Sequence, residues 1–426
     1  MKNSGIEWIG EIPDSWRLER LQWHLAEIKE QNFPIKTTQV LSLTNKLGVI
    51  PYEQKGEQGN KSKENYDEYK IAYPNTIVAN SMNILIGSVG ICNYLGCVSP
   101  VYYVFKPLKN ENIEYLNYIF QLVEFQKELR KYANGILEIR LRLSSADILK
   151  RVVALPPKNE QSKIVNDLSK KLAEVDKLVE IQQAQIEKLK EYKQSVITEA
   201  VTKGIDTNVP MKDSGVEWIG KINSLHSIWK LKYLLSSPMM YGANESGELF
   251  SENSVRYIRI TDITMNNLLK NTEENLYIDE RKAKPYLLKD NDVLFARSGG
   301  TVGKSFIYKK EYGLSAFAGY LIKAECNTEK LLPEYLFYYT QSSLYELWKN
   351  MIFIQATIQN IGANKYSNME IILASVDQQY KIIKHIKDKC SKIDKLIEIK
   401  QSKIEKLQEY KKSLIYEYVT GKKEVV

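Results

Sequence analysis

The sequence predicts an α+β protein written twice: two mixed α/β bodies joined by two long helices that pair as an antiparallel coiled coil, a tandem duplication about a pseudo-two-fold axis. Three observations predict this. A motif near residue 4 returns near residue 214, a longer stretch beginning at residue 176 returns at residue 394, and that longer stretch carries the spacing of a coiled-coil seam. Self-similarity of this kind sets an architecture before any local signal does.

Ser4-Gly5-Ile6-Glu7-Trp8-Ile9-Gly10 returns as Ser214-Gly215-Val216-Glu217-Trp218-Ile219-Gly220. Asp176-Lys177-Leu178-Val179-Glu180-Ile181 returns as Asp394-Lys395-Leu396-Ile397-Glu398-Ile399, continuing through IEKLKEYKQSVI (186–197) and IEKLQEYKKSLI (404–415) to Val201-Thr202 and Val419-Thr420. Between these ends the likeness is weaker, but landmarks persist. Gly87-Ser88-Val89-Gly90 aligns with Gly300-Thr301-Val302-Gly303, SPVYYVFK (99–106) with SAFAGYLIK (315–323), and Glu114-Tyr115-Leu116 with Glu334-Tyr335-Leu336. The chain therefore divides into a first body over 1–155, a first long helix and linker over 156–210, a second body over 211–373, and a second long helix and tail over 374–426. Two bodies of one fold with diverged loops suit the reading of two different targets.

Within the bodies, TIVAN, VYYVFK, RYIRI and DVLFA are short runs of β-branched and aromatic residues bounded by Asn, Gly and Pro, which predicts strands. YLNYIFQLVEFQKELRKY predicts one helix. In the returning stretches, apolar residues fall at alternating spacings of three and four: Leu172, Val175, Val179, Ile186, Leu189 and Val196, then Cys390, Ile393, Ile397, Ile404, Leu407 and Leu414. Polar residues interrupt both runs at the same steps, Gln182 and Lys193 in one, Lys400 and Lys411 in the other. This is the a/d pattern of a coiled coil, with no internal Gly or Pro. About 40 residues at ~1.5 Å each make a rod of ~60 Å. Such a helix exposes its stripe unless partnered, and the other copy in the same chain is the economical partner. A coil joining separate chains remains open on the heptads alone.

Composition bounds the function. The 426 residues are 43% hydrophobic, enough for real cores, and the formal charge of +8 permits a polyanion partner without requiring one. The four cysteines form no CxxC pair and the three histidines are scattered, so zinc and triad chemistry have little to work with. Without an apolar leader or a long apolar run, a soluble, cytoplasmic protein away from membranes is expected.

Several motifs approach chemistry and fall short. Ser298-Gly299-Gly300-Thr301-Val302-Gly303-Lys304-Ser305 nearly spells a phosphate-binding loop, but Ser298 replaces its first glycine, and the following SFIYKK reads as a strand where that loop needs a helix. A glycine turn between strands is the better reading. Pro13-Asp14 with Glu27-Ile28-Lys29 matches a degenerate nuclease spacing that the second copy lacks. Leu155-Pro156-Pro157-Lys158 has the prolines of an adenine-methyltransferase motif without its acid or amide. Neither a metal site nor a catalytic group is expected.

What remains suits recognition. Fifty lysines accompany only ten arginines, none of them in the coiled segments. Planar bidentate donors are useful at guanine edges and phosphates, and amides at adenine. The candidate DNA-contacting residues are Asn80, Ser81 and Asn83 before the first glycine turn, with Arg297 and Ser298 in the equivalent place. Arg140 and Arg142 follow Gly135 and lie opposite Gln359 and Asn360, with Gln355 nearby. Arg256, Arg259, Tyr94 and Lys304 complete the set as phosphate or stacking contacts. Surface ion pairing and core packing are the competing readings for each. Trp8 and Trp218, kept in both copies, are packing anchors or part of a partner-docking surface.

The layout SGIEWIG, body, LPPKNEQSKIV, coil, VTKG, then SGVEWIG, body and coil resembles the specificity subunit of type I restriction–modification systems over essentially the whole chain. The resemblance implies that the bodies are target recognition domains, each reading half of a split, asymmetric double-stranded DNA target. It implies that the paired helices set the gap between the half-sites. It also implies two methyltransferase subunits and two motor-nuclease restriction subunits as partners, which would carry S-adenosylmethionine, ATP and Mg²⁺ chemistry, with no cofactor in this chain. One departure is the second helix start, Leu373-Ala374-Ser375-Val376-Asp377-Gln378-Gln379, which lacks the double proline and has Gln378 where the first copy has Glu160. A coiled-coil adaptor without a DNA role and a self-contained nuclease or methyltransferase are the alternatives.

Overall fold

The computed structural model describes residues 1–44, 47–55, 65–133, 142–206, 208–264, 267–270, 275–354 and 359–424. The chain forms two compact units, Met1–Gln183 with Ser402–Val426, and Ala184–Gln401. Each long helix thus gives one part of its length to either unit.

The first unit opens on the antiparallel pair β1 (Lys2–Asn3) and β2 (Glu11–Ile12). The intervening turn needs left-handed backbone at Gly5 (φ 69°) and Gly10 (φ 70°), and the Ser4 amide donates to the Gly10 carbonyl at 3.0 Å. There follow β3 (Arg17–Arg20), β4 (Leu25–Ile28), β5 (Leu41–Thr44), β6 (Gly48–Pro51), β7 (Lys70–Ala72), β8 (Thr76–Asn80), β9 (Val89–Cys92), β10 (Gly96–Val98) and β11 (Tyr102–Pro107). Then come α1 (Ile113–Gln121), α2 (Val123–Arg130), α3 (Ser145–Leu149), β12 (Val152–Leu155) and the long helix α4 (Lys158–Lys203). The central sheet has the order β4-β11-β8-β9, all antiparallel, and its inner strand TIVAN is buried throughout. A smaller layer joins β5–β6 to β7–β10 through a parallel bridge between Val40 and Cys97.

The second unit repeats this plan with β13 (Met211–Asp213), β14 (Lys221–Asn223), β15 (Ser227–Lys230), β16 (Met240–Tyr241), β17 (Ser254–Ile258), β18 (Tyr277–Asp279) and α5 (Glu280–Ala283). It continues with β19 (Val293–Ala296), β20 (Ser305–Ile307), β21 (Ser315–Phe317), β22 (Leu321–Ala324), α6 (Pro333–Tyr339), α7 (Ser343–Ile354), α8 (Ala363–Ser367), β23 (Glu370–Leu373) and the long helix α9 (Val376–Val419). Its central sheet, β16-β22-β19-β20, matches β4-β11-β8-β9 strand for strand, and β15–β23 matches β3–β12. The smaller layer runs β18-β17-β21, again with a parallel step, between β17 and β21.

Two expectations need correction. The predicted single helix is broken into α1 and α2 at Leu122, which is extended (φ −66°, ψ 124°) and buried. The break lets Leu122, Phe125 and Leu129 reach the same core as Leu116, Ile119 and Phe120, which one straight helix could not do. The glycine alignment is also shifted. Gly87 (φ 80°) precedes β9 as Gly303 (φ 83°) precedes β20, and the Asn80 amide donates to Ser88 as the Ala296 amide donates to Lys304. The partner of Gly87 is therefore Gly303 and not Gly300. The near phosphate-binding loop is a short 3-10 turn, Gly299–Thr301, between the antiparallel strands β19 and β20, with no helix to face a phosphate.

The long helices pair antiparallel within one chain. In the first unit Lys411 Nζ meets the Asp176 carboxylate at 2.6 and 2.8 Å. In the second, Lys193 Nζ meets Asp394 at 2.7 and 2.8 Å, and Lys400 Nζ meets Gln185 at 2.6 Å. Two of the polar steps, Lys193 and Lys411, thus reach across to the aspartate of the repeated Asp-Lys-Leu motif. Exposed pairs of this kind contribute under about 1 kcal/mol each, so their value lies in fixing direction and register. Buried Leu172, Val175, Leu414, Ile415 and Tyr418 supply the adhesion in the first unit, and Ile197, Val201, Ile386 and Cys390 in the second.

Candidate nucleic-acid interface

Both central sheets end in a hairpin tip, and a second segment runs beside each tip. In the first unit, β8 ends at Asn80, a 3-10 turn covers Ile84–Ile86, and β9 returns after Gly87. Asn80 is only 8% exposed, and its Oδ1 accepts the Met82 amide at 3.1 Å. Asn80 and the buried Ser81 therefore shape the turn, while Asn83, Met82 and Ile86 are the exposed side chains. The neighbouring segment presents exposed Arg142 ahead of buried Leu143, whose carbonyl accepts the Tyr103 hydroxyl at 2.9 Å. Ser144 then caps α3. Arg140 lies outside the described residues. Tyr94 is half-buried against the cluster of Leu41, Val49, Val98 and Val104, a packing position.

In the second unit the same two elements meet with their chemistry exchanged. Arg297 and Ser298 leave β19, and the segment at Asn360 lies against them. Ser298 and Asn360 form an antiparallel bridge, and the Ile361 amide donates to the Arg297 carbonyl at 2.9 Å. Buried Ile361 and the helix cap Gly362 repeat the places of Leu143 and Ser144, so Asn360 occupies the place of Arg142. The sequence alignment of that loop holds. Gln359 is exposed beside Asn360, and Gln355 lies outside the described residues. The hairpin is pinned from beneath: the buried Tyr345 hydroxyl donates to the Gly303 carbonyl at 2.6 Å and the Tyr366 hydroxyl to the Ala296 carbonyl at 3.0 Å.

Arg297 is half-buried, and its guanidinium lies over the Tyr241 ring, 4.9 Å from the centroid. Its Nε is buried with no hydrogen-bond partner. A buried donor left unmade costs about 1–3 kcal/mol, and more when charged. The other predicted arginines of this unit are engaged. Arg259 forks onto Asp262, with Nε to Oδ2 at 3.3 Å and Nη2 to Oδ1 at 3.0 Å. Arg256 reaches the Lys270 carbonyl and, at 3.2 Å, Asn275 Oδ1. Lys304 heads β20, where burial and then the Lys349 charge hold its amine below the usual lysine range.

Tyr241 and Tyr320 were missed by sequence reasoning. Tyr241 is 41% exposed, and its hydroxyl accepts the Ala363 amide at 2.9 Å; Tyr320 is 61% exposed, and its carbonyl accepts the Arg297 amide at 3.0 Å. The available signal was a glycine beside each. A Cβ on Gly242 would lie 2.3 Å from the Phe317 carbonyl oxygen, and one on Gly319 would lie 2.3 Å from Asn244 Oδ1. Backbone approaches closely at Gly242 and the Asn244 side chain at Gly319, and the adjoining tyrosines stand exposed.

Trp8 is half-buried and packs on Phe125 with ring centroids 5.4 Å apart; Trp218 is half-buried against the second core. Both therefore anchor the repeated turn to its body, with part of each ring left open. The degenerate nuclease residues have separate employment: Asp14 pairs with the Met1 amine at 3.1 Å, while Glu27 accepts the Ser145 hydroxyl at 2.6 Å. Among the described residues no group of three His, Cys, Asp or Glu side chains is placed to hold a metal, and no helix is long and apolar enough to cross a membrane.

Exposed apolar residues recur on the coil. Leu178, Ile181 and Tyr410 are exposed in the first unit, and Leu396, Ile399 and Tyr192 in the second. These are the same three positions of the repeated stretch, carried by opposite helices.

Residues 244–409 match the family model described as the type I restriction modification DNA specificity domain. The chain is 20% identical over 290 residues to the type I restriction enzyme StySPI specificity subunit of Salmonella potsdam, a match covering 66% of this chain and 59% of that subunit's length. Its fold is similar to a chain from a solved structure on complex assembly and conformational transition of the type I system, with a TM-score of 0.71 at 12% identity over 96% of this chain and 98% of the other. It is also similar to the HsdS subunit from Thermoanaerobacter tengcongensis, with a TM-score of 0.51 at 13% identity over the same shares. The resemblance drawn from the repeated ends to type I specificity subunits is thereby borne out.

Proposed function

We propose that this chain gives a type I restriction–modification complex its DNA address. Each unit reads one half of a split, asymmetric double-stranded target, the paired helices set the gap between the halves, and the chain scaffolds methyltransferase and restriction subunits. The observation that carries this reading is that one framework appears twice with different side chains at corresponding positions: exposed Arg142 with a buried Ser81 in one unit, Asn360 with a half-buried Arg297 in the other. Arginine and asparagine are side chains whose geometry distinguishes base edges. The formal charge of +8 favours approach to a polyanion.

The chain lends specificity and no chemistry. Transfer of methyl groups from S-adenosylmethionine and ATP- and Mg²⁺-dependent cleavage fall to its partners. The exposed Leu178–Ile181–Tyr410 and Leu396–Ile399–Tyr192 patches, alike in both units, together with Trp8 and Trp218, suit two copies of the same methyltransferase subunit.

The test is a methylome. The chain is co-expressed with the methyltransferase subunit of its host, and modified adenines are mapped by single-molecule sequencing. A split motif absent from a control lacking this chain is the expected result. Methylation unchanged by deleting the chain, in a complex that still assembles, would leave the adaptor reading in its place.

A further inference from the structure

Resting on the recognition reading above, we infer that the second unit reads a guanine, and that Arg297, lying over the Tyr241 ring, is the residue that reads it.

Arg151, Arg256 and Arg259 are half-buried like Arg297, but each spends its guanidinium inside the protein: Arg151 Nε donates to the Asp147 carbonyl, and the other two have the acceptors already described. Among the described residues Arg297 has no hydrogen bond or ion pair from its guanidinium, and its Nε is shut away from water. That Nε is out of reach from outside, and the Nη groups of this half-buried side chain are the ones left for acceptors that arrive at the rim. Tyr241 limits the directions from which they can arrive. Its ring lies under the guanidinium carbon, 4.9 Å from the centroid, and closes that side, while its hydroxyl is tied to the Ala363 amide. A planar fork with a set orientation suits two acceptors side by side on one flat edge, which guanine presents at O6 and N7 in the major groove. A phosphate can engage the same fork but carries no base preference, so the Arg297→Lys variant separates the two.

The position also fits. Arg297 emerges at the open end of the central sheet beside Ser298 and Asn360, and its backbone is bonded on both sides, to the Tyr320 carbonyl and from the Ile361 amide. The first unit has buried Ser81 in the equivalent place and cannot make this contact there.

The experiment selects binding sites from a randomised duplex library, using the full-length chain co-expressed with its methyltransferase subunit. The wild type is compared with Arg297→Ala, Arg297→Lys, Tyr241→Phe and Tyr241→Leu. The expected wild-type motif contains a guanine in one half. Both Arg297 variants and Tyr241→Leu lose the preference at that base, with affinity for the selected site down ~10- to 100-fold, while the other half of the motif and the melting temperature are kept. Tyr241→Phe retains the guanine. A uniform loss across all sequences that Arg297→Lys restores would overturn the inference in favour of a phosphate contact. A half-site without guanine, or a motif indifferent to Arg297, would also overturn it while leaving the recognition reading intact. A wild-type chain that selects no motif would bring down the recognition reading itself.

Discussion

The two units share the tyrosine and glutamine contacts that join each body to the helix ends, and differ elsewhere. In the first, the Tyr115 hydroxyl lies 3.2 Å from the Ala154 carbonyl and 3.1 Å from the Val419 carbonyl; in the second, the Tyr335 hydroxyl lies 2.9 Å from Ile372 and 3.4 Å from Val201. Gln161 and Gln379 likewise occupy matching first-turn positions. Gln161 reaches Glu111 and the Pro156 carbonyl, and Gln379 the Leu332 amide and the Lys330 carbonyl. These contacts join a body to the helix ends, and both copies keep them. Away from that joint the copies part. Phe125 becomes Tyr345, Ser81 becomes Arg297, and Arg142 becomes Asn360. The difference teaches where the molecule is held to one solution and where it is free to change.

Body exchange tests this division most severely. Replacing residues 230–373 with the corresponding body of a type I specificity subunit should change one half of the methylated motif entirely and leave the other half as it was, read by methylome sequencing. A motif altered on both sides would mean the units do not read independently.

Arg142→Ala is the sharper test of the first unit. It should weaken binding to the cognate duplex ~10- to 100-fold through one half-site only, measured by titration against duplexes mutated in either half. Equal loss from both halves would break the assignment.

The shared joint should behave alike in both copies. Tyr115→Phe and Tyr335→Phe each remove a buried hydroxyl from two carbonyls and should cost about 1–2 kcal/mol, read from denaturant midpoints, with the DNA motif unchanged. A large asymmetry between the two would show that one unit depends on this contact and the other does not.

The smallest effect concerns a pair that differs inside the joint. Trp16 donates its indole Nε1–H to Glu160 at 2.8 Å, whereas buried His226 takes its place in the second unit and its Nδ1 has no partner. Burial pushes His226 below the usual histidine range, more than the Thr202 backbone restores. The folded state therefore binds fewer protons than the unfolded one, and stability is lost as pH falls below the ordinary histidine value of about 6.5. Melting temperatures measured at about pH 7.5 and about pH 5.5 should differ by about 1–3 °C less in His226→Phe than in the wild type. An unchanged difference would mean His226 does not carry that slope.

Much of this frame is legible in the sequence because it is periodic or repeated. The seam from Leu172 to Val196 fixes a paired helix by spacing alone, and the strand TIVAN announces itself by composition. The break at Leu122 was not legible, since α1 and α2 each keep helical periodicity and only the shape of the core demands the bend. The rim was half legible. Arg297 and Asn360 could be placed by alignment, but Tyr241 lies more than fifty positions before Arg297 in the sequence, and nothing local joins them. Arg256 and Arg259 show the converse limit. Chemistry nominated them, and the acceptors that occupy them, Asn275 and Asp262, are visible only in three dimensions.

The joint has one further consequence, for chain order. In the second unit α4 ends at Lys203 and β13 begins at Met211, so helix end and repeated turn are neighbours in the sequence. In the first unit the same two parts meet without such a link: Lys422 Nζ donates to the Ile9 carbonyl at 2.5 Å, and a Cβ on Gly421 would lie 2.3 Å from Pro13 Cδ. The linker is thus a convenience of one copy that the other does without. A gene opened near residue 207, with Val426 joined to Met1 through a short spacer, would encode the halves in reverse order yet keep these contacts. The contacts of the joint, and not the chain connection, would then hold helix end and repeated turn together in both units.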